Sequence, residues 1–156
     1  MSGRNPTLAF AALLAFAATA ASASAQDTNP RFGVWQLQSS APAPARNIMT
    51  YTPHEATGMS IKVESTNARG QESAWGYDTL FDGVFRPVWG QEGAETAVEI
   101  IDERSTRILN KRNGRVYQVI INTLSEDGNT INNEYVRLDE NGAITRVTHA
   151  VYQRIE

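Results

Sequence analysis

Cysteine is absent from this chain of 156 residues, and histidine occurs only twice. Without thiols the chain can form no disulfide, carry no lipid-modified cysteine and use no thiol nucleophile, so the domain depends on its apolar core. The two histidines, His54 and His149, are too far apart to form a metal-binding motif, and we expect no metal. A Gly-x-Ser-x-Gly elbow, a glycine-rich phosphate loop and a dinucleotide fingerprint are also missing. No cofactor is therefore expected.

A strong charge of either sign is missing as well. Lys and Arg number 14, and Asp and Glu number 17, which gives a formal net charge of −3. Loss of residues 1–25 would remove Arg4 and no acidic residue, and would change this charge to −4. A mildly acidic domain lacks the electrostatic attraction that nucleic acid or anionic lipid requires. We therefore expect no nucleic-acid partner.

A long apolar run occurs only at the amino terminus. Arg4 precedes the run from Leu8 to Ala18, and Ala23-Ser24-Ala25 offers the small residues of a cleavage site, which together predict a signal peptide. The run is shorter than the roughly 20 residues that span a bilayer. We predict a signal peptide at residues 1–25, cleavage near Ala25, and one secreted or periplasmic domain at residues 26–156 without stable membrane insertion.

Short alternating apolar runs recur through the rest of the chain, whereas helical periodicity is almost absent. This pattern predicts an all-β fold in which about ten strands follow one another as a single antiparallel meander. A meander of this length loses its exposed edges by closing into a barrel. We expect strands near Gly33–Gln38, Asn47–Thr52, Met59–Thr66, Ser73–Leu80, Phe85–Val88, Ala97–Asp102, Thr106–Lys111, Val116–Leu124, Ile131–Leu138 and Ile144–Arg154.

Asn-Gly and Asp-Gly dipeptides predict the register of the last four strands. Such dipeptides form two-residue hairpin turns, and residue numbers across each hairpin then add to a constant. The turns are expected at Asn113-Gly114, Asp127-Gly128 and Asn141-Gly142. The predicted partners form one row of β-branched side chains across four strands, which we place on the inner wall. This row consists of Ile108, Val119, Val136 and Val147.

The same register places Glu134 opposite His149 on the predicted inner wall. Directly opposed side chains have Cβ atoms about 4.5–5.5 Å apart, which allows a hydrogen bond between carboxylate and imidazole. Inside a barrel Glu134 would orient the ring of His149, the candidate general base of an isomerase, cyclase or hydrolase. The alternative is a polar pair that satisfies itself in the core or meets water at the rim.

Aromatic residues indicate a binding cavity. A three-residue loop at residues 68–70 would pair Val63 with Trp75 and Ile61 with Tyr77. Small-molecule pockets combine such apolar walls with a few orienting hydrogen bonds, and ten strands leave more interior room than eight. The alternative is that the same side chains fill the barrel. The predicted ligand-binding residues are Trp75, Tyr77, Trp89, Asn110, Tyr117, Val119, Val136 and Val147.

Gly33-Val34-Trp35, on the first predicted strand, resembles the Gly-x-Trp opening of lipocalins and other calycin barrels. In that superfamily a basic residue from the end of the barrel often packs over the tryptophan, which implies that Arg154 packs over Trp35. The chain is similar over nearly its whole mature length to small exported bacterial lipocalin-like domains. The shared features are a tryptophan strand, a proline-bearing loop, a Ser-x-Asp-Gly-x-Thr turn and a terminal Val-Tyr segment, here Trp35, Pro42 with Pro44, Ser125 to Thr130, and Val151-Tyr152.

The resemblance implies a calycin-type barrel and structural roles for Trp35 and Arg154. That group has no function to transfer, and a fold does not determine a function. Two further conserved blocks of animal lipocalins and their disulfide are missing, so transport of a specific lipid is not implied. We predict an exported barrel that holds a small, largely apolar ligand. The sequence predicts no particular oligomeric state. Two alternatives stay open: an enzyme in the same barrel, and an envelope scaffold or protein-interaction module with a filled core.

Overall fold

The computed structural model describes residues 29–156, and the predicted signal peptide lies outside the described residues. The described part consists of strands and the turns that join them, and none of it is a helix able to span a membrane. The strands are β1 Gly33–Leu37, β2 Arg46–His54, β3 Gly58–Thr66, β4 Glu72–Thr79, β5 Arg86–Pro87, β6 Ala94–Ile100, β7 Ser105–Arg112, β8 Arg115–Leu124, β9 Thr130–Leu138 and β10 Ile144–Arg154.

The ten strands form one antiparallel sheet in the order β4-β3-β2-β1-β10-β9-β8-β7-β6-β5. The first and last strands are therefore neighbours, and Trp35 lies opposite Arg154. The two edges of the sheet, β4 and β5, approach each other where Gly76 and Trp89 exchange two backbone hydrogen bonds of 2.9 and 3.2 Å. The sheet is thus a nearly closed barrel, which confirms the predicted all-β meander of about ten strands.

The turns follow the sequence signals with one difference. Asn113 and Gly114 both have positive φ, 50° and 81°, as a two-residue hairpin turn requires. The other two Gly-containing connections are longer than two residues, because they span residues 125–129 and 139–143. In both, an aspartate side chain accepts backbone N–H groups, and this local bonding closes the wider loop.

Most of the predicted cross-strand partners are confirmed. Val119 lies opposite Val136, and Val136 lies opposite Val147. The earlier hairpin pairs Val63 with Trp75, as its three-residue loop predicts. Registers that depend on a nearby turn therefore follow from residue numbers alone.

A bulge in β8 makes one predicted pairing wrong. Ile108 lies opposite Ile120 and not opposite Val119, because Tyr117 is an extra residue with no partner in β7. A β-bulge of this kind shifts the register of every residue beyond it. A constant sum of residue numbers cannot allow for such a shift.

The three valines of the predicted row lie on the outer face of the barrel, which corrects their expected place on the inner wall, whereas Ile108 faces inward and is buried. Val119, Val136 and Val147 occupy the outward positions of β8, β9 and β10, and Val147 is 56 % exposed. The inward positions of the same strands include Asn122 and Asn133, which are buried. Because both faces carry a mixture of apolar and polar residues, hydrophobic alternation did not distinguish them.

Trp35 lies at the centre of the filled half of the barrel, which we call the closed end. Its side chain is fully buried, and its indole N–H donates to the backbone carbonyl of Arg31 at 2.9 Å. The guanidinium carbon of Arg154 lies 4.1 Å from the centroid of the Trp35 ring. Arg154 also donates to the carbonyls of Phe32 and Gly128, at 2.7 and 3.0 Å. These bonds connect the last strand to the residue before β1 and to the β8–β9 turn.

Glycine is required at position 33 by this contact. A Cβ atom there would lie 2.4 Å from the carbonyl oxygen of Glu156 and 2.6 Å from a terminal nitrogen of Arg154. The φ of Gly33 is 139°, which side-chain-bearing residues rarely adopt. The Gly-x-Trp sequence therefore has a physical basis, since the glycine leaves room for the arginine that covers the tryptophan.

Candidate functional site

A cavity of about 320 Å³ occupies the half of the barrel opposite the closed end. Inward-facing residues of eight strands and the β5–β6 connection form its wall. The aliphatic part of the wall consists of Met49, Ile61, Val63, Val88, Ala94, Ile108 and Ile120. A cavity of this volume leaves the interior only partly filled, which disfavours the scaffold alternative.

All five tyrosines of the chain line this cavity, and they form its most distinctive feature. The rings of Trp75 and Tyr77 stack with centroids 6.4 Å apart and an interplanar angle of 15°. Tyr117 reaches the cavity because the bulge in β8 turns its side chain inward. The tyrosines are Tyr51, Tyr77, Tyr117, Tyr135 and Tyr152.

Half of the predicted ligand-binding residues line the cavity, namely Trp75, Tyr77, Asn110 and Tyr117. Trp89 does not, because it is 50 % exposed and its ring lies on the outer side of the barrel against Gly76. The three valines of the predicted row do not either, since they face outward. Four predicted lining residues therefore lie outside the cavity because their side chains point outward, namely Trp89, Val119, Val136 and Val147.

Glu134 and His149 are brought together, but on the outer surface. They lie opposite each other on β9 and β10, and the His149 Nδ1 atom is 3.1 Å from Glu134 Oε1. The side chains are 66 % exposed for His149 and 46 % for Glu134, and neither lines the cavity. The predicted pairing is correct, whereas the predicted inner-wall position is wrong. Because the Glu134–His149 pair is exposed to bulk water, the cavity cannot bring a substrate to it.

Burial raises the pKa of three of the cavity tyrosines, Tyr51, Tyr77 and Tyr152. It is the main reason that the pKa of Tyr77 lies well above its ordinary value, and the phenols of Tyr51 and Tyr135 raise it further. These three hydroxyls are therefore protonated at physiological pH, and those of Tyr51 and Tyr152 donate to Met49 Sδ at 3.6 Å and to Asn47 Oδ1 at 3.1 Å.

The Tyr77 hydroxyl is available to a ligand. Within the described part of the chain, no side chain or carbonyl forms a hydrogen bond with it, although the Tyr77 residue is only 6 % exposed. The described structure contains no enclosed side-chain N or O atom that lacks a partner, so this hydroxyl is in contact with the cavity space. A buried donor of this kind is normally satisfied by a ligand or by water.

A chain of hydrogen bonds connects the closed end to the cavity. The Nε atom of Arg31 donates to Asn122 Oδ1 at 3.0 Å, and Asn122 Nδ2 donates to Asn133 Oδ1 at 2.9 Å. Asn133 Nδ2 in turn donates to the hydroxyl oxygen of Tyr135 at 3.2 Å. We call Arg31, Asn122, Asn133 and Tyr135 the polar chain. Only its last two members line the cavity.

Other polar side chains of the wall satisfy one another. Thr96 donates to Asn110 Oδ1 at 2.8 Å, and Asn110 donates to Gln118 Oε1 at 3.0 Å. On the opposite side, the Tyr152 hydroxyl donates to Asn47 Oδ1 at 3.1 Å. The wall is therefore a mixed surface in which polar groups are held in defined orientations.

Charge at the cavity is confined to one ion pair. Lys111 Nζ lies 2.9 Å from Glu95 Oε2, and both side chains are partly exposed. Among residues 29–156, these two are the only charged residues in the lining. The same part of the chain contains no cluster of three or more His, Asp or Glu residues placed to hold a metal ion. Two further cations lie next to the lining, because the guanidinium groups of Arg112 and Arg137 are 5.8 and 5.3 Å from the centroid of the Tyr117 ring.

Sequence reasoning missed the inner faces of β9 and β10, including Tyr135 and Tyr152. The signal that identifies them is the contact between Arg154 and Trp35. If Arg154 lies inside over the tryptophan, then alternation places Tyr152 inside and His149 outside. The resemblance to calycin barrels therefore already contained the correct face of β10.

Comparisons with known proteins identify the fold through structure and not through sequence. No protein-family model and no curated protein sequence matches the chain. The solved structure of wild-type fluorescent protein UnaG superposes with a TM-score of 0.55 at 11 % identity, covering 79 % of this chain and 96 % of that one. A Schistosoma mansoni fatty acid binding protein in complex with arachidonic acid superposes with a TM-score of 0.57 at 14 % identity. This superposition covers 81 % of this chain and 97 % of the Schistosoma protein. The two chains therefore share the barrel fold.

Proposed function

We propose that the protein is an exported barrel that binds a small, largely apolar molecule in its interior. The observation that carries this proposal is the cavity of about 320 Å³, walled by aliphatic side chains, Trp75 and five tyrosines. Ligand pockets have volumes of about 300–1,000 Å³ and combine apolar walls with a few directed polar groups. The volume is near the lower limit of this range, so the ligand is compact, with one or two rings and not a long extended chain.

The structural comparison supports the same proposal. A barrel of this fold is known in complex with arachidonic acid, which is an apolar molecule with one polar end. Among the described residues, the only cation in the lining of the present cavity, Lys111, is bonded to Glu95. We therefore carry over binding of an apolar molecule and not the identity of that ligand.

The enzyme alternative receives no support from the site. Its candidate base, His149, lies on the outer surface with Glu134, outside the cavity that would hold a substrate. General acid–base catalysis requires the base within hydrogen-bond reach of the reacting group. Binding without a reaction is therefore the proposed activity.

Two neighbouring positions on β8 test whether the ligand enters the cavity. Ile120 lines the cavity, whereas Val119 faces outward. We expect ethylnaphthalene, a neutral apolar probe, to bind the purified domain in equilibrium dialysis. Replacement of Ile120 by Trp should weaken this binding at least about ten-fold, because the indole occupies the space of the probe.

Val119→Trp provides the matched control, since it adds the same ring one residue away on the outer face. Its affinity for ethylnaphthalene should equal that of the wild type, and so should that of His149→Gln. Circular dichroism and thermal melting confirm that each variant is folded. Equal binding by the Ile120 and Val119 variants would contradict an interior site.

Export follows from the amino-terminal pattern and has its own test. We expect the protein recovered from the extracytoplasmic fraction to begin at Gln26, because Ala23 and Ala25 offer the small side chains that the cleavage site needs. Intact-mass measurement of the purified protein reads this directly. A full-length chain retained in the cytoplasm would contradict the proposed location and leave the binding proposal standing.

A further inference from the structure

Arginines face each other at the end of the barrel opposite the closed end, which we call the open end. Alternate turns of an antiparallel meander lie at the same end, so the β7–β8 and β9–β10 turns are both far from the β8–β9 turn that Arg154 contacts. Arg112 lies directly opposite Arg115 beside the first of these turns, and Arg137 lies directly opposite Arg146 near the second. Two cross-strand pairs of like charge therefore occupy neighbouring hairpins of the sheet.

Like-charge pairs do not occur elsewhere in the strand ladders of residues 29–156. The other directly opposed ionisable residues form acid–base pairs, namely Glu95 with Lys111, Glu99 with Arg107, and Glu134 with His149. Asp82 and Glu99 meet in an isolated bridge outside the ladders, and each of them is bonded to an arginine. Like charges directly opposite each other destabilise a sheet. The arginine pairs are therefore an exception to the way this chain places its charges.

The protein does not neutralise this positive charge itself. No ion pair in the described part of the chain includes any of the four arginines. Arg112 donates one hydrogen bond, to Gln91 Oε1 at 2.9 Å, and the guanidinium group of Arg137 has no hydrogen-bond acceptor among the same residues. Nearby acids are already in use, because Glu95 is paired across its strand and Asp139 accepts two N–H groups of its own turn. The guanidinium donors thus remain available to an external anion.

Tyr117 connects these arginines to the cavity. Its side chain lines both the cavity and a groove at the open end, and Arg112, Arg115 and Arg137 line the same groove. The guanidinium carbons of Arg112 and Arg137 lie 5.8 and 5.3 Å from the centroid of the Tyr117 ring. Among the described residues, no acid lines this groove. The positive charge and the largely apolar cavity therefore meet at one side chain.

We propose, on the basis of the binding function above, that the ligand carries one anionic group. Arg112 and Arg137 hold this group at the open end, while the apolar part of the molecule occupies the cavity. Guanidinium groups match the oxygens of carboxylate, sulfate and phosphate groups with parallel N–H donors. The ligand class is therefore a compact ring system with one acidic substituent.

The open end is a more favourable place for an anion than the cavity interior. An anion inside the cavity would lose its hydration without gaining a free cation, since Lys111 is bonded to Glu95. Arg112 and Arg137 are exposed residues, so an anion between them keeps part of its hydration. Contacts of this exposed kind are individually weak, which is why two guanidinium groups are required. The anion also offsets the repulsion within the opposed arginine pairs.

Three probes with one bicyclic skeleton and different charges test the proposal: naphthylacetate, ethylnaphthalene and naphthylmethylammonium. At low ionic strength the purified protein should bind naphthylacetate at least about ten-fold more tightly than naphthylmethylammonium, because both ions lose hydration and only the anion is attracted. Added salt should reduce this preference several-fold, since it screens exposed charges. Equal binding of the two ions, with ethylnaphthalene still bound, would overturn this inference and leave the binding function intact. Failure of all three probes to bind would overturn both.

Arg137→Gln tests the attraction at the open end. The variant should lose about three- to ten-fold in naphthylacetate affinity and bind ethylnaphthalene as the wild type does, because residue 137 is no part of the cavity lining. Arg112→Gln should have the same effect. The thermal stability of the ligand-free Arg137 variant should not fall, since the substitution also removes the repulsion from Arg146. Equal weakening of both probes would mean that the arginine shapes the cavity and does not attract the anion.

Arg69→Gln is the matched control. It removes one positive charge from the β3–β4 turn at the same end of the barrel, and Arg69 lines neither the cavity nor the groove. The naphthylacetate affinity of this variant should stay within about two-fold of the wild type, because an exposed charge at a distance is screened. A loss as large as that of Arg137→Gln would show a general effect of charge, and would overturn the assigned site.

Discussion

Replacement of Trp35 by Ala should lower the free energy of unfolding by about 3–5 kcal/mol, the usual cost of removing a buried aromatic side chain. The indole is fully buried at the closed end, and its N–H donates to the carbonyl of Arg31. Its loss therefore leaves a large void and an unsatisfied carbonyl at the closed end of the barrel. Urea denaturation followed by circular dichroism measures the change.

Trp89 provides the control for this experiment, because it is the same residue type at a half-exposed position. Trp89→Ala should cost well under half as much, since most of its surface is already in contact with water. Equal losses for the two tryptophans would contradict a core centred on Trp35.

A double-mutant cycle measures the contact between Trp35 and Arg154. The guanidinium group lies over the indole ring at 4.1 Å, which is cation–π geometry and is worth about 0.5–2 kcal/mol. Arg154→Ala should be destabilising, and the double variant should lose less than the sum of the two single losses by about this amount. Additive losses would mean that the two residues do not stabilise each other.

Gly76→Val should destabilise the barrel by about 3 kcal/mol, at the upper end of the usual range for overpacking. A Cβ atom at position 76 would lie 2.2 Å from the carbonyl oxygen of Ile61 and 2.7 Å from the ring of Trp89. The indole can turn away, but the carbonyl belongs to the backbone of the neighbouring strand and cannot. Thermal and urea denaturation measure the loss.

The same substitution should open the seam between the two edges of the sheet. Gly76 and Trp89 exchange the two hydrogen bonds that close the barrel, so their amides should exchange faster with solvent in the variant. Ala74→Val, on the exposed outer face of the same strand, should change stability by less than about 0.5 kcal/mol. A Gly76 variant as stable as the Ala74 variant would show that the seam tolerates a side chain.

The strands and the positions of the turns in this protein follow from its sequence alone. Each predicted strand overlaps an observed one, and β8, predicted from Val116, begins at Arg115. The predicted strand Phe85–Val88 is observed as the two-residue strand β5, Arg86–Pro87, at an edge of the sheet. Alternation and the positive φ of Gly in turns are local properties, so neighbouring residues are sufficient to predict them.

Which face of each strand lines the barrel depends instead on the tertiary structure. Register and face are separate: Glu134 lies opposite His149 whichever side the pair occupies, and the surface position follows from how the sheet closes. The bulge at Tyr117 adds a second non-local choice, because it reverses the alternation within one strand and brings a ring into the cavity. The interior faces of β8 and β9 include Asn122 and Asn133, whose burial is favourable only because Arg31 arrives from the other end of the chain to complete their hydrogen bonds.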